Sequence, residues 1–172
     1  MIQTKPNLFV GLVAAFSLSA YASPAADTSV QAAATAQPDV VVQTEPLHKT
    51  ANLSYKVAGK RYQPTKKIES FSQTGKASWY GPGFHGKKTS SGERFDMNTL
   101  SAAHRTLPIP SYARVTNLSN GKSVIVRVND RGPFHGNRVM DLSKAAAKEL
   151  GFIHTGTANV KVEQILPNGK GQ

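Results

Sequence analysis

The sequence has no cysteine, and that absence removes several chemistries at once. There is no disulfide framework, no thiolate metal site, no thiol nucleophile and no lipobox cysteine to carry a lipid anchor. Acidic residues are scarce as well: 10 Asp and Glu stand against 21 Lys and Arg, a formal net charge of +11. Apolar runs are short. Apart from one stretch near the start, nothing approaches the about 20 apolar residues that span a bilayer. Neither an HExxH metal motif nor a GxSxG nucleophile elbow occurs. His85, His104 and His135 share no recognised ligand spacing, so neither a metal nor another cofactor is expected.

The one apolar run, Leu8 to Ala20, follows Lys5 and ends in the small-x-small Ala20-Tyr21-Ala22. That is the arrangement of a secretory signal, so residues 1–22 are expected to be a signal peptide cleaved after Ala22. The mature protein is then exported to the periplasm or cell envelope, without stable membrane insertion and without a lipid anchor. Lys5 is the only charged residue in 1–22, so 20 of the 21 basic residues remain against 10 acidic ones. A cationic chain suggests a polyanion. Export argues against nucleic acid, and there is no arginine-rich helix, zinc-finger spacing or RNP-type aromatic strand. An acidic wall polymer or a membrane surface fits the compartment, and solubility alone is the plainer account of the charge.

Domains run about 100 to 200 residues, so one core is expected. Residues 23–54, mostly Ala, Thr, Gln, Val, Ser and Pro, read as a flexible linker. Residues 55–74 form a pre-barrel segment, with a short strand or hairpin around Tyr55, Val57 and Tyr62. From 75 to 166 the pattern is all-β, and 167–172 is a tail. Ala113–Asn117, a turn at Asn120-Gly121 and Ser123–Asn129 make a hairpin with Val124, Val126 and Val128 facing in. Continuing that alternation puts Asp130 at the strand end on the valine parity, and Gly132-Pro133 stops the strand. A helix is expected over 142–150, capped by Asp141 or Ser143 and closed by Gly151, with Leu142, Ala146 and Leu150 on one face. A last strand, 158–165, turns Val160, Val162 and Ile165 inward. Strands near 76–80 and 138–141 complete a small closed sheet.

Polar groups concentrate in GKASWYGPGFHGKKTSSGERF, SAAHRTLP and VNDRGPFHG, each rich in glycine or proline and read as a loop or strand end, where function usually sits. Asp130 is either a turn aspartate, bonded to backbone amides or Arg131, or a carboxyl at a cleft. Glu93 reads as an exposed turn residue or a ligand-binding one. His104 is either a core imidazole or part of a site. Trp79, Tyr80 and Phe84 are core, or a stacking surface for sugar rings.

The stretch from Tyr55 to Ile165 resembles the rare lipoprotein A-like family of double-psi β-barrels. ASWYG, FHG followed by GE, AAH-TLP, VTNL-NG and VNDRGPF occur in that order, and SYKVAGKRYQP looks like the family's lead-in. The resemblance implies a six-stranded double-psi β-barrel with one or two short helices. It also implies an endolytic lytic transglycosylase that cleaves the MurNAc–GlcNAc bond of peptide-free peptidoglycan strands. Carried over, the catalytic aspartate is Asp130, the important histidine His104 and the loop glutamate Glu93. Trp79, Tyr80, Phe84, His85, Asn129 and Arg131 are then expected on the saccharide. With no cysteine there is no lipobox, and a protein without the SPOR domain of longer members is expected. The expected partner is the glycan strand, with no nucleic acid and a monomeric protein.

Hydrolytic glycosidases use two carboxyls at a set separation. A lytic transglycosylase needs less, because the MurNAc C6 hydroxyl attacks its own C1. One group can protonate the leaving oxygen and then take the C6 proton. Asp130 is expected in that role, with His104 orienting it or stabilising charge on the sugar and Glu93 holding the saccharide. Burial would raise the Asp130 pKa and Arg131 would lower it. The rival expectation is a non-catalytic wall-binding or wall-loosening module of the expansin type.

Overall fold

A computed structural model of the chain describes residues 40–67 and 69–166. The expected signal peptide, the linker before residue 40 and the tail after 166 lie outside the described residues. The β-pattern resolves into β1 (Tyr55–Val57), β2 (Lys60–Tyr62), β3 (Ser72–Trp79), β4 (Ser101–His104), β5 (Ser111–Asn117), β6 (Ser123–Asp130), β7 (Arg138–Leu142) and β8 (Thr157–Ile165). One helix, α1 (Lys144–Glu149), lies between β7 and β8. Strands β3 to β8 close a six-stranded barrel in the order β3-β7-β4-β6-β5-β8. The pairs β3/β7 and β4/β6 are parallel and the rest antiparallel. This is the double-psi β-barrel that the resemblance implies.

Valines fill the barrel. Val124, Val126 and Val128 of β6 are at most 1% exposed, and Val115, Val160 and Val162 reach them from β5 and β8. Val115 sits opposite both Val124 and Val162, so the hairpin register puts one branched side chain against another across two neighbouring strands. Burying each is worth about 1.5–3 kcal/mol against leaving it in water. The β5–β6 turn needs a left-handed residue, and Gly121 takes it at φ 72°.

Helix α1 is shorter than its periodicity suggests. Ser143 caps it, its Oγ accepting from Ala146 N at 3.1 Å. Leu142 belongs to β7 and Leu150 is the C-cap, yet both are fully buried with Ala146, as one apolar face requires. Strand β4, by contrast, lies where a loop or strand end is expected. Its four residues SAAH are all buried, so no polar side alternates with an apolar one to mark a strand.

The segment read as flexible linker is docked in its described C-terminal part. His48 N donates to Ile109 O at 2.8 Å. Asn52 pairs with the Ile109 backbone, Nδ2 donating to its O at 2.7 Å and Oδ1 accepting from its N at 2.9 Å. Composition misses this because polar anchors, not apolar burial, hold the segment. Beyond it, β1 and β2 pair as a hairpin, and Tyr55 and Tyr62 stack at 5.2 Å and pack on Phe134.

Candidate active site at the end of strand β6

Strand β6 carries one extra residue against β4: Ala102 is opposite Val128, but Ala103 is opposite Asp130. Such a bulge re-aims the side chains beside it. The valine alternation therefore ends at Val128, Asn129 is buried, and Asp130 emerges half-buried at the strand end. The parity expected for Asp130 is corrected by that bulge, while its place at the strand end stands.

The Asp130 carboxylate is held unevenly. Oδ1 accepts from Ser90 N at 2.8 Å, Ser90 Oγ at 2.7 Å and Arg131 N at 2.8 Å. Oδ2 accepts only one bond among these, from Tyr80 OH at 3.0 Å. Burial first, then the Asp130 charge, pushes the Tyr80 phenol well above its usual range, so it stays protonated.

The loop between β3 and β4 brings Ser90 there. After a 3-10 turn at Pro82–Phe84 the chain doubles back through the Lys88–Arg94 bridge, with Thr89 N on Glu93 O at 2.8 Å and Gly92 at φ 82°. Ser91 N donates to Asn129 O at 3.2 Å, laying the loop along β6. Glu93 Oε2 thereby accepts from Asn129 Nδ2 at 3.1 Å and Arg127 Nη1 at 2.8 Å. These two donors, Arg127 first, hold Glu93 below the usual carboxylate range, so it is anionic at neutral pH.

Two expected site residues point elsewhere. Arg131 is 9% exposed. Its Nε and Nη2 donate to Ala51 O at 3.0 and 2.9 Å, and Nη2 also to Asn52 Oδ1 at 2.9 Å. Its Nη1 donates to His104 O at 3.1 Å and Leu107 O at 2.6 Å. All five N–H groups are used on neutral acceptors, so the side chain does not clasp Asp130. Burial lowers its pKa to about 10. His104 is 2% exposed. Its Nδ1 accepts from Thr106 N at 3.1 Å and Leu107 N at 2.9 Å, which puts the proton on Nε2, donating to Gln73 Oε1 at 3.0 Å. Burial, then the Arg131 and Arg105 charges, push its pKa down to about 3. Both nitrogens are occupied and neither meets Asp130, so no direct hydrogen bond joins the His104 ring to that carboxylate. Gln73, its partner, lines a groove of about 540 Å³ with Thr74, Lys76, Asn137 and Asn159.

The aromatic residues divide. Trp79 is half-buried against the core. Tyr80 sits 4.8 Å from buried Phe95 and 5.4 Å from Phe84, which is 50% exposed and has Lys87 Nζ 5.1 Å from its ring centre. Tyr80 and Phe84 thus form a surface leading from Asp130 to solvent. His85 is exposed, 3.7 Å from Asp96, and accepts from Met97 N at 3.3 Å. Among the described residues no three His, Asp or Glu side chains converge to hold a metal ion, and no helix is long and apolar enough to cross a membrane. Ser90, Arg127 and Gln73 were not singled out from the sequence. The one signal was Arg127, a lone charge on the outer face of a valine strand three residues before Asp130.

Residues 72–162 match a family model described as lytic transglycolase. The endolytic peptidoglycan transglycosylase RlpA of Neisseria meningitidis serogroup A is 60% identical over 167 residues, covering 97% of this chain and 64% of that protein. Its serogroup B counterpart is 69% identical over 133 residues, covering 77% of this chain and 56% of that protein. The chain therefore spans less than two thirds of either relative's length. A solved Clavibacter michiganensis expansin aligns at 18% identity with a TM-score of 0.45, covering 59% of this chain and 53% of that one. With the family model covering more than half of its length, the chain belongs to the lytic transglycolase family.

Proposed function

We propose that the protein is an endolytic lytic transglycosylase that cuts the MurNAc–GlcNAc bonds of peptide-free peptidoglycan strands outside the cytoplasm, with Asp130 moving the proton. The observation that carries this reading is the uneven environment of the Asp130 carboxyl. Oδ1 is fixed by three donors, whereas Oδ2 meets the Tyr80 hydroxyl. A hydroxyl both donates and accepts. It can donate to Oδ2 when Asp130 is a carboxylate and turn to accept when Oδ2 carries a proton, with the Oδ1 bonds unchanged.

The reaction then balances without water. The glycosidic bond from MurNAc C1 breaks, and the GlcNAc O4 leaves with the proton from Asp130 Oδ2. The MurNAc C6 oxygen bonds to C1, giving the 1,6-anhydro ring, and its proton returns to Oδ2. Glu93, anionic and fixed by Asn129 and Arg127, is suited to bind and position the saccharide rather than to supply a proton. Tyr80 and Phe84 offer ring faces to the sugars. His104 is a positioning residue, acting through Gln73 and through its carbonyl on Arg131. The 60% and 69% identical relatives carry the same activity in their names.

Digesting peptide-free strands in water enriched in ¹⁸O tests the reaction type. Anhydro ends that contain no heavy oxygen are expected. Reducing ends carrying one ¹⁸O would make the protein a hydrolase, and intact strands would leave it a binding module.

A further inference from the structure

We infer that residues 45–52 are a strap belonging to the working site, in which Glu45 is a positioning residue that shares Arg127 with Glu93 and so sets the charge and aim of the Glu93 carboxylate. The inference rests on the role proposed above for Glu93. Arg127 stands on the outer face of β6, two residues before Asn129 and three before Asp130. Its Nε and Nη2 donate to Glu45 Oε1 and Oε2 at 2.8 and 2.7 Å, a two-pronged grip, and its Nη1 donates to Glu93 Oε2 at 2.8 Å. Tyr112 OH, at 2.7 Å from Glu45 Oε1, donates to the same oxygen that Arg127 Nε meets. One guanidinium therefore lies between two carboxylates, both held below their usual range by it.

The division of donors matters. A planar guanidinium prefers to grip a carboxylate through two parallel bonds. Glu45 occupies the Nε–Nη2 edge, and Glu93 meets Arg127 through one bond, from Nη1. That bond falls on Oε2, the oxygen that Asn129 also meets. Glu93 Oε1 is outside both of these contacts, and with the Ser91 side chain as the carboxylate's one other partner it has capacity left for a saccharide hydroxyl. Without Glu45 the fork is free to turn and close on both oxygens of Glu93.

The strap's other end is pinned by the second arginine near Asp130. Arg131 donates to Ala51 O and Asn52 Oδ1, and Asn52 is in turn paired with the Ile109 backbone. Arg127 and Arg131, three residues before and one residue after Asp130, hold the two ends of one eight-residue segment, 45–52. That segment precedes the 72–162 stretch matched by the family model, so the barrel alone leaves Arg127 with Glu93 and without Glu45.

The test uses Glu45→Gln in the full chain. Removing a neighbouring negative charge and giving Glu93 the whole of Arg127 act in the same direction. The Glu93 carboxyl, followed by ¹³C NMR against pH, should titrate lower than in the wild type by roughly half a pH unit or more. With both Glu93 oxygens engaged, KM for peptide-free strands should rise about tenfold, with kcat within about twofold. If Glu45→Gln does not fold, Tyr112→Phe removes the hydroxyl that fixes Glu45 and also meets Arg127, and should move Glu93 the same way by less. A Glu93 titration unchanged or raised in the folded variant overturns the inference and reduces the strap to a structural brace, whatever the melting temperature does. A wild type that releases no anhydro ends defeats the proposed activity without touching the strap, and the Glu93 titration then decides alone.

Discussion

Lowering the pH from 7 to 5 is expected to destabilise the barrel through the His104 imidazole. In the folded protein its pKa lies at about 3, against an ordinary 6.5, because the ring is buried and flanked by the Arg131 and Arg105 charges. Below 6.5 the unfolded chain takes up a proton that the folded chain refuses, so stability falls as pH falls. The stabilisation is fully present above 6.5 and is lost progressively down to about 3. Each pH unit in that window costs about 1.4 kcal/mol, so acidification from 6.5 to 5 should remove about 2 kcal/mol. For a domain of this size that lowers the melting temperature by roughly 5 to 10 °C. The range from pH 7.5 to 5 lies above 4.5, the ordinary value for Glu93 and Glu45, whose own lowered pKa values come into play only at more acid pH. Thermal melts from pH 7.5 to 5 on the wild type and on His104→Gln, which has no proton to take up, isolate the effect. Parallel profiles for the two proteins, or a His104 ring that titrates near 6.5 by NMR, would refute the reasoning.

Other perturbations separate structural from working groups. Arg131→Met strips donors from the carbonyls of Ala51, His104 and Leu107. At about 1–3 kcal/mol per buried orphan, the variant should lose at least about 3 kcal/mol in urea unfolding. Normal stability with a raised KM would instead return Arg131 to the saccharide. Tyr80→Phe leaves Asp130 Oδ2 without its hydroxyl partner. Turnover should drop about ten- to a hundredfold while the fold melts nearly as the wild type; an unchanged kcat would rule out the hydroxyl switch. Gly75→Ala places a Cβ on Val139 Cγ1 inside β3, and overpacking of that kind costs about 1–3 kcal/mol. A variant as stable as the wild type would mean that β3 and β7 have room to part.

The barrel was largely legible because its hairpin is amphipathic in the simplest way. Val124, Val126 and Val128 alternate with more exposed residues, and the Asn120-Gly121 turn sets their register. Strand β4 was not legible: Ser101–His104 is buried on both faces, and burial without alternation looks like any short apolar run. The site was half legible. Motif order singled out Asp130, Glu93 and Tyr80, which the fold brings to one end of β6. The same motif offered Arg131 as a ligand contact, and nothing in VNDRGP tells that the arginine turns inward to three carbonyls and an asparagine. His104 carried both readings in sequence, and nothing in SAAHRTLP tells that its Nδ1 turns to two backbone amides and its Nε2 to Gln73. Glu45 was hidden because its role depends on a contact with Arg127 across 82 positions, in a stretch whose composition describes an unanchored chain.

Mass spectrometry of peptide-free glycan strands after digestion by wild type and by Asp130→Asn tests the role of Asp130 most directly. Asparagine keeps the size and acceptor oxygen of the side chain and cannot carry the proton. The wild type should generate 1,6-anhydroMurNAc ends and the folded variant none. Anhydro ends released by Asp130→Asn at a rate near that of the wild type would contradict the assignment of proton transfer to that carboxyl.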